Sequence, residues 1–322
     1  MSPVLSSDVN SDATIRAWQQ RITQSIEPSV IGHRIRIIDG FERARRVMLV
    51  YIPKSLLGPH RVNYQGKKDF YVRHDRSNLP MDIDEIRQAF VEAREIPQRV
   101  DDLRRLRISQ ILAGETPVEL LFNTPVFVCH AVPLSSFSAG VAVDVTSLQG
   151  HRAVRVMDSS AVSGRLNADG FLFRGGMDGE YGRGYMQVYR SGVAEMAATI
   201  ADVATVRPGR SVPLLPSQWQ EEGFIRSVSD LMGLLRELHV TPPVYLGLSL
   251  LRVRGLAMAL PQRYFEHAQP IDKDLLIVPV VTSETMVEET ARLLHPAFDA
   301  IWQASGFPTS PYYDVDGNWS NR

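Results

Sequence analysis

Four short β-rich runs lie close together near the start of the chain, and they constrain its fold more than any other feature. They cover residues 34–38, 46–52, 61–65 and 69–73. Turn-forming residues separate them: Asp39 with Gly40, the stretch from Pro53 to His60, and Gly66 followed by two lysines. Runs so short and so closely spaced predict an antiparallel sheet whose last two strands form a hairpin.

Side chains alternate between the two faces of a strand, so the predicted hairpin has a core face and an outer face. The interpretation assigns Val62, Tyr64, Phe70 and Val72 to the core face, and Arg61, Asn63, Tyr71 and Arg73 to the outer face. Guanidinium groups, an amide and an aromatic ring suit phosphate contact and base stacking. With the neighbouring cations added, the predicted nucleic-acid-binding set is Arg61, Asn63, Lys67, Lys68, Tyr71, Arg73 and Arg76.

Charge is distributed unevenly along the chain. The whole protein has a formal net charge of -1, yet the segment from Arg43 to Arg76 contains nine Lys or Arg and two acids, a balance of +7 that leaves -8 for the rest. A local basic surface fits a DNA or RNA partner, whereas the overall charge does not indicate a general polyanion binder. The alternative is an ordinary solvated face, because arginine is abundant throughout: only four of the 35 basic residues are Lys.

The fold class predicted for the chain is α+β, in two domains. Residues 13–26 show helical spacing of apolar side chains, Asp82 and Glu85 have capping-box spacing ahead of a second helix, and Pro97 is expected to start a third. Gly114 is a plausible helix stop, and β-like runs follow it. The boundaries are therefore set at 1–113, an antiparallel sheet with helices, and 114–322, a mixed α+β domain of unpredicted role.

Several kinds of site are not indicated. The lone Cys129 cannot form an intramolecular disulfide, and it and His130 should face opposite sides of one strand, within the core. Ser55 and His60 lack an acidic residue to orient them as a nucleophile and base. Neither a secretory leader nor an apolar run long enough to cross a membrane is visible, so we expect a cytoplasmic protein without a membrane partner.

Residues 13–92 resemble the second half of a Schlafen/AlbA-type domain. Three segments that occur in the family's order and spacing carry the resemblance: Pro53 to His60, Lys67 to Arg73 and Pro80 to Arg87. The family's loop motif matches Pro53, Ser55, Pro59 and His60. Two later stretches, 164–171 and 310–317, are similar to an extension of some bacterial members described as DNA- or ATP-binding. The resemblance implies a partial Schlafen/AlbA-type sheet and a nucleic-acid partner.

The sequence also departs from that family. Members with ribonuclease activity have catalytic carboxylates in the first half of the domain, around a Glu…Glu-Phe-Lys pattern and an Asn-Thr-x-Gly-Gly segment, and neither pattern occurs here. Catalytic, metal and cofactor sites are therefore not predicted. Half a domain leaves a strand edge or an apolar face uncovered, so we expect that the native chain begins upstream of Met1, or that a partner chain or a second copy completes the sheet.

Three hypotheses follow. The first is a nucleic-acid-binding or accessory protein that uses the basic hairpin. The second is a metal-dependent phosphodiesterase or nucleotide-dependent enzyme, with carboxylates from missing upstream residues or from Asp82, Asp84 and Glu85; these acids also suit a structural role at a helix start, which is favoured. The third is a protein-interaction subunit, with a second copy or another chain as its partner, whose uncovered edge is the functional surface.

Overall fold

The computed structural model describes most of the 322-residue chain. The described residues are 4–5, 11–30, 33–41, 45–52, 58–74, 77–121, 124–137, 142–151, 154–157, 159–160, 163–178, 181–200, 213–259, 269–286 and 289–320. The chain divides into two compact units, Met1–Arg99 and Val100–Arg322. No helix within these described ranges is long and apolar enough to cross a membrane.

The first unit contains two small antiparallel sheets. Its elements are β1 Val4–Leu5, α1 Ser11–Ser25, β2 Ile26–Glu27, β3 Arg34–Phe41, β4 Arg45–Tyr51, β5 Arg61–Tyr64, β6 Lys67–His74, β7 Ser77–Pro80 and the start of α2 Ile83–Leu112. One sheet has the order β1-β4-β3 and the other the order β2-β5-β6-β7. All four predicted β runs are strands, and the last two form the predicted hairpin.

Few hydrophobic side chains are buried in the first unit. Among its described residues, the buried ones are Ile22, Val30 and Ile35. Far more large hydrophobic side chains are exposed: Ile38, Leu49, Val50, Tyr51, Ile52, Tyr64, Tyr71, Leu79, Ile83, Phe90 and Val91. Exposed apolar surface of this kind marks sites of interaction in soluble proteins. The core of this unit is therefore small for its length.

Helix α2 begins at the predicted capping box. The Asp82 carboxylate accepts from the Glu85 backbone N–H at 2.8 Å, and the Glu85 carboxylate accepts from the Asp82 backbone N–H at 2.9 Å. The two side chains thus satisfy backbone donors that the first turn of a helix leaves without partners. The predicted helix start is confirmed.

The prediction that Pro97 starts a separate helix is wrong. Pro97 lies inside α2, which runs without interruption to Leu112. A proline ring removes one backbone hydrogen bond, but burial beyond it holds the helix together: Val100, Ile108 and Ile111 are all buried. The same burial explains why the division between the units falls at Arg99/Val100, inside α2, whereas the sequence places a boundary after residue 113.

The second unit is built around one large antiparallel sheet. The strands of the second unit, six of which lie outside the large sheet, are β8 Val126–Pro133, β9 Arg155–Val156, β10 Ser159–Ser160, β11 Ser163–Leu166, β12 Gly170–Arg174, β13 Met177–Asp178, β14 Tyr181–Gly182, β15 Gly184–Tyr189, β16 Ala194–Thr199, β17 Leu214–Leu215, β18 Val244–Leu251, β19 Ala257–Met258, β20 Leu275–Ile277 and β21 Val281–Ser283. Its long helices are α3 Ser217–Glu237 and α4 Thr290–Gln303. The sheet has the order β11-β12-β15-β16-β8-β18-β20, and β21 also pairs with β18. With helices and antiparallel sheets in both units, the fold class is α+β, as predicted.

Both faces of this sheet are covered. Phe127, Cys129 and Ala131 of β8 belong to the main core together with apolar residues of α3 and α4. On the opposite face, Val126 and Val128 pack in a second cluster with Ile108 and Ile111 of α2. Strand β8 is consequently buried at every position, which is the pattern of a strand covered on both sides.

β-like runs are expected after Gly114, but the described residues 142–145 form no strand. Instead Val145–Leu148 forms a short 3-10 helix, capped by Asp144. The Asp144 carboxylate accepts from the Thr146 backbone N–H at 3.0 Å and from its hydroxyl at 2.5 Å. Local side-chain bonding of this kind competes with strand pairing, and here it decides the structure.

Gly247 of β18 leaves room for the buried Arg104 side chain of α2. The guanidinium lies where a Cβ at Gly247 would be, and its Nη2 donates to the carbonyls of Leu248 at 3.0 Å and Val278 at 3.1 Å. Burial lowers the pKa of Arg104, and Asp101 at 3.5 Å partly opposes that shift.

Gly247→Ala should therefore lower the free energy of unfolding by about 1–3 kcal/mol, because the new methyl group displaces Arg104 from its partners. Gly233→Ala is the matched control. Gly233 lies inside α3 with open space where a Cβ would be, so the same substitution should raise stability there by about 0.5–1 kcal/mol. Urea unfolding of both variants measures the difference, and a Gly247→Ala protein as stable as wild type would contradict the account of Arg104.

Candidate nucleic-acid interface

The turn of the β5–β6 hairpin fixes which side chains share a face. Gln65 and Gly66 are its two central residues, with positive φ values of 52° and 80°. This is the two-residue turn that suits the twist of paired strands. It pairs Tyr64 with Lys67, Val62 with Asp69 and Arg61 with Phe70.

This register corrects the predicted faces. Directly paired residues of antiparallel strands point to the same side, so Arg61 shares a face with Phe70 and not with Tyr71. We call one face helix-facing, because the ring of Phe70 lies 5.9 Å from that of Phe90 in α2. It holds Arg61, Asn63, Lys68, Phe70 and Val72. The other, which we call the open face, holds Val62, Tyr64, Lys67, Asp69, Tyr71 and Arg73. The predicted contact set is therefore split between the two faces.

Arg61 already has an anionic partner on the helix-facing side. Its Nη2 donates to the Glu27 carboxylate at 2.6 Å, and that hydrogen bond lowers the pKa of Glu27. Both side chains are exposed, so water screens the pair and it contributes little to stability. A phosphate bound by this guanidinium would have to compete with Glu27 for it.

The predicted loop motif is only partly described. Pro59 is buried, and His60 is half-buried with its Nδ1 2.6 Å from the Pro28 carbonyl oxygen. The His60 contact joins the described end of the loop to the residue that follows β2, which is a structural role. Pro53, Ser55 and Arg76 lie outside the described residues.

The open face combines two aromatic rings with two cations. Tyr64 is 59% exposed and Tyr71 is 36% exposed, and Lys67 and Arg73 are also exposed. Tyr64 faces Lys67 across the hairpin, while Tyr71 and Arg73 follow on β6. Between the tyrosines lie Val62 and Asp69, both half-buried.

Sequence reasoning missed Tyr64, which it assigned to the core face. The signal that could have found it is the length of the turn. Reading Gln65 and Gly66 as a two-residue turn makes Tyr64 and Lys67 partners, and partners share a face. A turn made of Gly66, Lys67 and Lys68 would instead give a different register.

A buried ionic cluster in the second unit also escaped the sequence analysis. Glu195 of β16 is fully buried, and Nε and Nη2 of Arg107 each donate to its carboxylate at 2.8 Å. His130 Nε2 lies 3.0 Å from Glu195 Oε2, and the Tyr185 hydroxyl donates to Oε1 at 2.7 Å. Burial raises the pKa of Glu195, but the hydrogen bonds from Arg107 and His130 outweigh it and hold the pKa at about 2.

Burial indicates a structural role for this cluster. The side chains of Glu195 and His130 are fully buried, and that of Arg107 is 19% exposed. Cys129, on the other face of β8, is buried too, and burial raises the pKa of its thiol to about 12. The predicted core location of Cys129 and His130, on opposite faces, is confirmed.

A second buried carboxylate lies beneath the C-terminal residues. Glu221 of α3 accepts from Trp302 Nε1 at 2.7 Å, from the Ser310 hydroxyl at 2.7 Å and from Trp319 Nε1 at 3.0 Å. Among the described residues, no cationic side chain is a partner of this carboxylate. Burial raises the pKa of Glu221 to about 7 against the effect of these donors. The carboxylate joins α3, α4 and the segment that ends the described chain.

The acids considered for an enzymatic site have structural partners. Asp82 and Glu85 form the capping box, His74 Nε2 lies 3.4 Å from Glu85, and Arg87 donates to Asp84 at 2.6 Å. Across the described part of the chain, no three or more His, Cys, Asp or Glu side chains form a group that could hold a metal ion.

An open groove of about 530 Å³ lies in the second unit, near the end of α3. Asp144, Glu237 and His239 are among its lining residues. Asp144 caps a 3-10 helix and Glu237 lies 3.1 Å from His151, so both acids have partners. Two carboxylates among its lining residues make this groove unsuited to a polyanion.

Comparisons with protein families, with curated proteins and with solved structures find no match for this chain. The resemblance of residues 13–92 to a Schlafen/AlbA-type domain thus stays a prediction.

Proposed function

We propose that this protein binds nucleic acid through the open face of the β5–β6 hairpin. The observation that carries the proposal is the register, which gathers Tyr64, Lys67, Tyr71 and Arg73 on one exposed face. Phosphate oxygens suit Lys67 and Arg73, and the flat faces of bases suit the two rings. The proposed partner, DNA or RNA, is the one predicted from the sequence. The proposed contacts keep Lys67, Tyr71 and Arg73 of the predicted set and add Tyr64.

Electrostatics should dominate the binding free energy. Lys67 and Arg73 are the cations that the open face presents among the described residues. Each phosphate neutralised releases counterions. Removing both contacts should therefore reduce the magnitude of the slope of log K against log salt by about 1.4 to 1.8. The affinity should fall at least about tenfold, since hydrogen bonds to charged groups contribute about 1.5–3 kcal/mol each.

The chain offers a matched control on the other side of the same hairpin. Lys67→Gln/Arg73→Gln and Lys68→Gln/Arg61→Gln each remove one lysine and one arginine, so both change the net charge equally. Fluorescence anisotropy with labelled DNA and RNA at several salt concentrations should show the loss and the flatter slope for the first pair only. Circular dichroism checks that both variants fold. Equal losses from the two pairs would mean that net charge, and not the open face, sets the affinity.

A protein-interaction role is the second candidate, and a separate observation favours it. The first unit exposes eleven large hydrophobic side chains among its described residues and buries three hydrophobic ones. A second copy or a partner chain that covered part of this surface would add to a small core. Mass measured by light scattering over a range of concentrations tests self-association, and a strict monomer at all concentrations would exclude the homo-oligomer.

A further inference from the structure

We infer that the open face takes an unpaired strand, with Tyr64 and Tyr71 each stacking on a base. This inference rests on the proposed nucleic-acid binding and specifies its ligand as single-stranded DNA or RNA. The juxtaposition that carries it is two exposed rings at a fixed distance on one side of a hairpin, with a cation beside each ring.

The distance between the tyrosines follows from the register. Tyr64 pairs with Lys67, and Tyr71 lies four residues further along β6 on the same face. At about 3.3 Å per residue, the two rings are about 13 Å apart along the strand direction. They can therefore contact two bases of one strand that are not immediate neighbours.

A duplex cannot offer those bases. Bases in a duplex stack on each other at about 3.4 Å, so neighbouring pairs cover their ring faces. Only unpaired bases can turn a free face towards a tyrosine, and stacking on aromatic side chains is the common device of proteins that bind single strands. The exposed fractions of Tyr64 and Tyr71, 59% and 36%, leave each ring accessible for such a contact.

The hairpin is also poorly shaped for a duplex groove. A two-stranded ribbon fits the major groove, which is about 12 Å wide. Here β2 pairs with β5 on one side and β7 pairs with β6 on the other. Four strands at about 4.8 Å spacing span about 14 Å between the outer strands, before side chains are added. A sheet face of this width suits a single nucleic-acid strand that lies across it.

The charged side chains of the open face indicate how a bound nucleic-acid strand would lie. The half-buried Asp69 carboxylate is between the two tyrosines and would repel a phosphate placed there. Lys67 and Arg73 lie on either side of Asp69 along β6. The sugar-phosphate backbone would therefore pass near the cations while bases lie over the middle, where Asp69 can accept from their amino groups.

The test compares one labelled single strand of 20 nucleotides that cannot self-pair with its duplex, as DNA and as RNA, by fluorescence anisotropy. Tyr64→Leu/Tyr71→Leu removes both ring faces but keeps apolar bulk, and Tyr64→Phe/Tyr71→Phe keeps the rings. Wild type should bind the single strand at least about tenfold more tightly than the duplex. The Leu pair should lose about a hundredfold for the single strand, whereas the Phe pair should stay within about threefold.

Two results would overturn the inference while the proposed function stands. One is duplex binding as tight as single-strand binding; the other is an unchanged single-strand affinity in the folded Leu pair while Lys67→Gln/Arg73→Gln still loses binding. Wild-type protein that binds neither form at low salt would overturn both proposals together.

Discussion

Glu195→Gln is expected to lower the free energy of unfolding by about 3–5 kcal/mol, the usual effect of removing one partner of a buried ion pair. The fully buried carboxylate balances the Arg107 guanidinium and bonds with His130 and Tyr185. A neutral amide leaves a guanidinium in the protein interior without its counter-charge. Urea unfolding at neutral pH measures the loss.

Glu237→Gln is the control for this prediction, because it makes the same chemical change in a side chain that is 56% exposed and paired with His151. Its effect should stay below about 1 kcal/mol. A Glu195→Gln loss equally small would contradict the structural role of the cluster.

The same carboxylate should make stability depend on pH in the acid range. Its pKa is about 2 in the folded protein against an ordinary 4.5, so the folded state keeps the ionised form that the unfolded chain loses first. This depressed pKa contributes stability above about pH 4.5 that disappears as the pH falls towards 2. The full effect is about 3 kcal/mol, and it should be absent from Glu195→Gln.

Trp302→Ala is the second substitution with a large expected effect, a loss of about 3–5 kcal/mol. The indole is fully buried, its ring lies 5.6 Å from that of Phe307 and 6.1 Å from that of Tyr312, and its N–H donates to Glu221. Removing it leaves a cavity and takes one donor from a buried carboxylate. Thermal or urea unfolding reports the loss.

Trp302→Phe separates the two contributions, because it keeps most of the apolar volume and removes only the N–H. Glu221 already has a pKa raised to about 7, so its ionisation opposes folding as the pH rises from 4.5 to 7. Loss of a donor raises that pKa further. The destabilisation caused by Trp302→Phe should therefore be larger at pH 8 than at pH 5, and a loss independent of pH would contradict the hydrogen bond to Glu221.

Much of the local structure could be predicted because its causes are local. The capping box at Asp82 depends on two residues three positions apart. The β5–β6 hairpin was found for the same reason, since a turn between two β-rich runs is a local signal.

What failed depends on register or on distant packing. The faces of the hairpin depend on where the turn begins, and an error of one position moves every side chain of a strand to the other face. Pro97 stays inside α2 because Val100 and Ile108 are buried beyond it, which no local rule can include. The partners of Arg107 and His130 come from strands far along the chain, so a single sequence does not bring them together.

Photo-cross-linking identifies directly which residues of the protein contact a bound nucleic acid, and so tests binding by the open face. A single strand of DNA or RNA carrying a photoreactive pyrimidine is bound at low salt and irradiated, and the modified peptides are mapped by mass spectrometry. We expect adducts on Tyr64 or Tyr71, and their loss in Lys67→Gln/Arg73→Gln but not in Lys68→Gln/Arg61→Gln. Adducts confined to residues 100–322, with none on the hairpin, would contradict it.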